Sequence, residues 1–197
     1  MSMWLLTVKM MRNLLSILLL ALLTTGGVVS CKKWQDPAPT DDSRLTNPYC
    51  NDPSAVNYNW GFPGKPDNSV CYYPSDLFAG TYSFKDTSYQ AATDLYLSAD
   101  SFIIYISKIS QTKISIDGMC PSGQKLILTA GATYTATVDT TVGDSTTLYP
   151  GQYFCSEKDT VVGFFVRDKV DSSLIYVDLY IRTDTGATVR RGRAIKK

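Results

Sequence analysis

The sequence predicts an all-β domain: an antiparallel meander of about eight strands that closes as a barrel or folds as a β-sandwich. Three observations support this prediction. Apolar and polar residues alternate with a period of two in several runs after residue 76. Turn-forming residues separate these runs at a spacing of roughly 8–15 residues. No run after the amino-terminal apolar segment has the period of a helix.

The amino terminus has the pattern of a secretory signal peptide, which we place at residues 1–30. Lys9 and Arg12 form a basic region, the apolar run 14–23 follows, and small residues precede Cys31. A membrane-spanning helix needs about 20 apolar residues, so a retained transmembrane helix is the less favoured alternative. The chain starts at Met1, although Met10 or Met11 would begin a signal peptide of more usual length.

The string Val28-Val29-Ser30-Cys31 resembles the lipobox of bacterial lipoproteins. The resemblance implies that the preceding peptide is removed and that Cys31 carries a diacylglyceryl thioether, with an acyl chain such as palmitate on the new amino terminus. It therefore implies a membrane partner, reached through the lipid. Lys32 stands where inner-membrane retention in related lipoproteins often requires Asp, so the expected location is the outer membrane, on either face.

Two short segments separate this anchor from the β-domain. Residues 31–48 are polar and rich in proline, and they are predicted to form a flexible tether. Residues 49–75 are predicted to form a small module, whose pattern C-x-D-P-x-A-x-N-Y-N followed by D-x-S-x-C resembles a cysteine-paired repeat of exported bacterial surface proteins. Its side-chain oxygens are weak candidates for Ca²⁺ ligands, and Asx-turns are the favoured alternative. The candidates are Asp52, Asn57, Asn59, Asp67 and Asn68.

The predicted strands follow one another through the β-domain, which we place at residues 76–197. They cover 77–84, 94–107, 113–117, 126–128, 133–139, 152–156, 161–167 and 174–182. Five side chains are expected to point inward: Tyr82, Phe84, Tyr134, Ala136 and Val138. The basic residues near the carboxyl terminus are predicted to lie on a solvated terminal strand and tail, with a phosphate or anionic-lipid patch as the alternative. They are Arg190, Arg191, Arg193, Lys196 and Lys197.

The last predicted strand gives the clearest alternation. Its apolar positions share one face: Ile175, Val177, Leu179 and Ile181. Its wetter positions share the other: Tyr176, Asp178, Tyr180 and Arg182. The wetter face is a possible binding surface for a sugar or a peptide, and simple decoration of an exposed sheet is the alternative.

Four cysteines remain after Cys31, and an even number in an exported chain predicts disulfides. Three pairings are possible. We favour Cys50–Cys71, which lies within one loop-rich segment, and therefore Cys120–Cys155. A zinc site with four thiolates is the alternative, although the sequence has no Cys-x-x-Cys spacing.

The composition excludes several functions. Without residues 1–30, 17 Lys and Arg stand against 18 Asp and Glu, so no basic field predicts nucleic-acid binding. The chain has no His, which excludes His-dependent triads and His-based zinc sites. We therefore expect no catalytic residues, no cofactor and no metal. A hydrolase that uses two carboxylates, such as Asp168 with Asp171, is a minor alternative, because these residues and the Asp139–Asp144 pair occupy polar turns.

The string Phe78-Ala79-Gly80-Thr81-Tyr82 and the strands after it resemble the lipocalin-like β-domain of small outer-membrane lipoproteins. Tyr82 stands where the lipocalin pattern has Trp. The resemblance implies a lipid-anchored envelope protein without enzymatic activity, whose β-domain binds a small ligand or a partner protein. A structural or accessory lipoprotein of an outer-membrane complex, without a ligand pocket, is the alternative.

Overall fold

The computed structural model of the protein describes residues 42–141 and 150–197. Most of its β-strands pair with one another in a ring. The strands are β1 (Pro48–Tyr49), β2 (Lys65–Pro66), β3 (Gly80–Gln90), β4 (Tyr96–Lys108), β5 (Lys113–Asp117), β6 (Leu126–Ala130), β7 (Thr135–Val138), β8 (Gln152–Phe154), β9 (Ser156–Arg167), β10 (Leu174–Thr183) and β11 (Gly186–Lys196). Three short 3-10 turns span Ser43–Thr46, Asn68–Val70 and Pro74–Leu77.

Eight of these strands form a closed antiparallel barrel. The order is β10-β11-β3-β4-β5-β6-β7-β9, and the pairing of β9 with β10 completes the ring. Strand β8 pairs with the other side of β9 as an extra strand. The all-β prediction is confirmed, and closure of the ring decides for the barrel over the sandwich.

The inward side chains of the long strands form the core. On β10 the four aliphatic positions are buried, so the predicted register is correct: Ile175, Val177, Leu179 and Ile181. Tyr82, Phe84 and Ile104 have no exposed surface, and neither do Leu179 and Ala136. The Tyr82 hydroxyl donates a hydrogen bond of 2.8 Å to the Phe78 carbonyl oxygen, and burial raises the pKa of Tyr82. Tyr134 is partly buried and packs against this core.

Tyr134 precedes β7 in a left-handed conformation, with φ of +67°, and is only half-buried. The alternation of Ala136 and Val138 therefore does not extend back to it, because the left-handed residue breaks the extended backbone that carries a period of two.

The carboxyl-terminal segment is a strand of the barrel, and Arg191, Arg193, Lys196 and Lys197 are exposed as predicted, whereas Arg190 is largely buried. Strand β11 pairs with β10 on one side and with β3 on the other. Its inward positions are Arg190, Gly192 and Ala194, opposite Ser88, Asp86 and Phe84 of β3. Because two of these three inward positions are not apolar, the segment lacks the alternation that marks a half-buried strand.

The small module holds together through backbone pairing and a disulfide. Strands β1 and β2 pair in parallel, and Cys50 is bonded to Cys71. Val56 and Tyr72 pack against the barrel core. Residues 43–197 form one compact unit, and the boundary at residues 75 and 76 stays a prediction. The signal peptide, Cys31 and nearly all of the tether lie outside the described residues. In the ranges 42–141 and 150–197 no helix is long and apolar enough to cross a membrane.

The second disulfide joins Cys120, in the loop after β5, to Cys155, between β8 and β9. We predict that replacing both residues with Ala lowers the free energy of unfolding by about 3–4 kcal/mol, because the bond restricts the unfolded chain across 35 residues. Urea denaturation measures this change. The Cys50→Ala, Cys71→Ala double variant, with its shorter loop, should lose about 3 kcal/mol. An unchanged midpoint and slope in the first variant would contradict the prediction.

Candidate functional site

The predicted wet face of β10 lies on the outside of the barrel. Tyr176 is 40% exposed, and Asp178, Tyr180 and Arg182 are half-buried. The Arg182 guanidinium lies 5.6 Å from the centroid of the Tyr180 ring. Tyr176 and Asp178 line a groove, whereas Tyr180 and Arg182 lie farther along β10 and are not among the residues that line it. The structure thus brings half of the predicted surface into a concave site.

This outer groove crosses strands β9, β10, β11 and β3 and has a volume of about 610 Å³. Strand register assembles it, because Tyr176 lies opposite Arg193, and Asp178 lies between Arg191 on one side and Phe164 on the other. Its lining combines apolar or aromatic side chains, three cations and one carboxylate: Phe164, Tyr176 and Ile195, then Lys85, Arg191 and Arg193, then Asp178. Phe164 and Ile195 are about half exposed, at 45% and 50%. The groove therefore offers apolar surface and charge to solvent.

The groove wall carries more positive than negative side chains. Arg191 Nε lies 3.4 Å from an Asp178 carboxylate oxygen, and its Nη1 lies 3.7 Å from Asp94. The Arg193 guanidinium lies 5.6 Å from the centroid of the Tyr176 ring and has no carboxylate partner within the described residues. Three cations thus stand against one carboxylate of the groove wall, which gives the groove a positive potential.

A second concavity, the barrel-end pocket, lies between the loop after β5 and strands β4 and β11. Its volume is about 550 Å³. Asp100, Phe102 and Arg190 form one wall, and residues 118–121 with Cys155 form the other. Arg190 binds the buried Asp86 on the neighbouring strand β3. The sequence analysis missed this ion pair, although the alternation Tyr82, Phe84 already placed Asp86 on the inner face.

Two of the candidate calcium ligands, Asp52 and Asp67, accept hydrogen bonds from other groups of the protein. Asp52 accepts hydrogen bonds from the Ser54 amide at 2.9 Å and from the Tyr73 hydroxyl, and Asp67 accepts one from the Ser69 amide at 2.9 Å. The Ser54 and Ser69 hydrogen bonds lower the pKa of the two carboxyls.

Two of the remaining candidates, Asn57 and Asn68, form hydrogen bonds with backbone groups more distant in the chain. Asn57 bridges the backbone of Val70 and Tyr72, and Asn68 accepts from the Asn51 amide. Asn59 has a left-handed backbone, with φ of +58°. The described residues contain no cluster of three His, Cys, Asp or Glu side chains suited to a metal ion. Only the contacts of Asp52 and Asp67 have the spacing of the Asx-turn alternative.

The carboxylates considered for acid–base chemistry form hydrogen bonds within turns or with side chains of neighbouring strands. Asp168 accepts from the amides of Val170 and Asp171, both at 2.8 Å. Asp171 accepts from Ser173, which lowers the pKa of this carboxyl. Asp139 is not a solvated loop charge. Burial opposes its ionisation, but hydrogen bonds from Lys113 and Thr129 outweigh this and lower the pKa of Asp139. Asp144 lies outside the described residues.

Within the described residues, fold and site define a closed eight-stranded antiparallel barrel with one extra strand, two disulfides and the two surface concavities above. No protein-family model matches the chain, and no curated protein resembles it in sequence. Several solved structures match the chain, among them the following three.

A redesigned β-barrel is 14% identical over 64% of this chain and 96% of its own, with a TM-score of 0.38. EF1p2_mFAP2b bound to DFHBI is 13% identical over 63% of this chain and 97% of its own, with a TM-score of 0.40. A protein of unknown function from Bacteroides ovatus is 14% identical over 61% of this chain and 42% of its own, with a TM-score of 0.37.

Proposed function

We propose that this protein is a lipid-anchored, non-enzymatic protein of the outer membrane whose barrel binds an acidic segment of a partner protein in the outer groove. One observation carries the binding function: exposed apolar and aromatic side chains and three cations together line a groove of about 610 Å³. The anchor and the location rest on the lipobox resemblance at Cys31.

Charge selects the partner. An acidic segment would neutralise Lys85, Arg191 and Arg193, whereas a basic segment would be repelled by them. Arg is enriched at protein interfaces because its guanidinium pairs bidentately with carboxylates and stacks on aromatic rings. Arg193, which lies over Tyr176, is placed to do both. Partner side chains with apolar bodies would pack on Phe164 and Ile195, which solvent reaches in the free protein.

A structural or accessory role without a ligand is the second candidate. It is favoured by the packed interior, since Tyr82, Phe84, Ile104 and Leu179 are fully buried and line neither concavity. Such a protein would have no affinity for a short peptide.

We predict that a fluorescent peptide of alternating Asp and Phe binds the protein and that Arg193→Ser weakens binding at least tenfold, by about 1.4 kcal/mol. Fluorescence anisotropy measures the dissociation constant, which should also rise with salt. The matched control is Lys169→Ser, which removes an exposed cation from a loop outside the groove. Equal affinity for a Lys–Phe peptide, or equal effects of the two substitutions, would contradict the proposed groove function.

Tyr176→Ser should weaken binding while leaving the melting temperature nearly unchanged, because Tyr176 lies outside the core.

A further inference from the structure

The small module carries an exposed aromatic loop, residues 58–62. Tyr58, Trp60 and Phe62 are 42%, 60% and 68% exposed, and all five residues of the loop are exposed. Residues 53–64, which contain the loop, include no charged side chain. Aromatic side chains have a large apolar surface that is favourable to bury, so three of them in one short uncharged loop indicate an interaction surface.

Hydrogen bonds hold the aromatic loop in a fixed conformation. Three of its amides donate to backbone oxygens of the module: Asn59 to Cys50 at 2.8 Å, Trp60 to Asn57 at 3.1 Å and Phe62 to Asn59 at 3.2 Å. Asn59 has a left-handed backbone, which turns the chain within the loop. Because these amides already have partners, the loop can leave water without leaving them unsatisfied.

The aromatic loop packs against the residues at which the tether enters the module. The Phe62 ring meets the Tyr49 ring edge-on, with 5.7 Å between their centroids. Tyr49 belongs to β1, at the end of the predicted tether. Twelve peptide bonds separate Cys31 from Ser43, so this stretch spans at most about 43 Å. A lipid on Cys31 therefore keeps the loop within reach of the membrane, and attachment makes even a weak contact with the membrane intramolecular.

We propose that the aromatic loop enters the interface of the membrane that holds the lipid anchor, with Trp60 and Phe62 among the lipid headgroups and upper acyl chains. Trp and Tyr are enriched at this depth, where an amphipathic ring contacts both apolar and polar surroundings. No charged side chain of residues 53–64 has to lose its hydration. The loop also offers no charge with which to select a protein partner. The proposal rests on the proposed anchor for its proximity argument, and no residue of the loop lines the outer groove.

The test attaches the lipid chemically. A chain from Cys31 to Lys197 keeps the whole compact unit 43–197, and its other four cysteines are paired in disulfides. The Cys31 thiol is coupled to a maleimide phospholipid in phosphatidylcholine vesicles, which carry no net charge. Trp34→Phe leaves Trp60 as the only tryptophan of this chain.

Brominated phosphatidylcholine in these vesicles quenches a tryptophan that reaches the acyl chains. The Trp60 emission should move to shorter wavelength and be quenched, and added salt should not reverse this, because no charge of the loop takes part. Unchanged emission from the attached protein would overturn the proposal and would indicate that the loop serves a protein contact instead. The thioether is made in the test tube, so this result does not depend on whether cells acylate Cys31.

Phe62→Ser tests whether the aromatic side chains drive insertion. Burying a Phe side chain changes an equilibrium constant by more than tenfold, so this variant should reduce the ratio of inserted to free loop about tenfold. Trp60 remains as the reporter. The matched control is Leu95→Ser, which removes a side chain of similar exposure past the far end of β3, roughly 30 Å along the strand from the module. Equal quenching in the parent chain and Phe62→Ser, or equal losses in the two variants, would overturn the proposal.

Discussion

Arg190→Met is expected to destabilise the barrel by about 3–5 kcal/mol, one of the two largest effects that we predict for a single substitution. The substitution removes the cation that compensates Asp86, whose side chain is 1% exposed. A buried carboxylate without a partner has lost its hydration and gained nothing in return. The Arg190 guanidinium also lies 5.8 Å from the centroid of the Phe102 ring, a contact that the substitution removes.

The double variant Asp86→Leu, Arg190→Met separates the effect of the unpaired Asp86 charge on stability from the effect of lost Arg190 packing. Replacing both members of a buried ion pair with apolar residues of similar volume is often neutral or stabilising, so the double variant should be more stable than Arg190→Met alone. Arg191→Met is the positional control, because Arg191 is the next residue along β11 and points outward to solvent. It should cost less than about 1 kcal/mol. Urea denaturation of the three variants measures these differences. Equal losses of unfolding free energy in Arg190→Met and Arg191→Met would show that the Asp86–Arg190 ion pair does not stabilise the barrel.

Local alternation predicted most of the barrel strands, because one face of each strand is apolar and the other is wet. Strand β10 shows this most clearly, with Ile175 to Ile181 inward. A terminal strand was predicted for β11 but its place in the barrel wall was not, because Arg190 and Gly192 occupy inward positions. Gly192 is required there, since a Cβ atom at this position would collide with the Lys85 carbonyl oxygen and the Phe84 ring. Close approach of two strands is a property of the assembled barrel, and local sequence does not encode it as a pattern.

The candidate sites were predictable only in part, for a related reason. The alternation of β10 placed Tyr176 and Asp178 together on the outer face. Their neighbours Phe164 and Arg193 come from other strands, and register alone brings them into the same groove. Asp86 and Arg190 are 104 residues apart in the chain, so their pairing depends on ring closure through β11. Spacing within a strand identifies one wall of a site, whereas cross-strand register determines what lies opposite.

The anchor prediction has an all-or-none outcome, because it concerns a covalent bond. Cys31→Ser is expected to abolish labelling by a radioactive fatty acid and to move the protein from the membrane to the soluble fraction or leave an uncleaved precursor. A serine hydroxyl cannot form the thioether that the lipobox resemblance implies. Each buried methylene of an acyl chain contributes about 0.8 kcal/mol, and stable anchoring needs two chains or more. Loss of all the chains therefore removes the attachment entirely.

The matched control for this experiment is Ser30→Ala, which keeps a small residue directly before Cys31. It should leave processing, fatty-acid label and membrane fractionation unchanged, because the cleavage site requires small residues and not a hydroxyl. Fractionation of the wild type into inner and outer membranes tests the expectation drawn from Lys32. Fatty-acid label that persists in Cys31→Ser would show that the apolar run 14–23 is not followed by a lipidated cysteine. Membrane association of the wild type without fatty-acid label would indicate that this run is retained as an anchor, the alternative that its length of about ten residues disfavours.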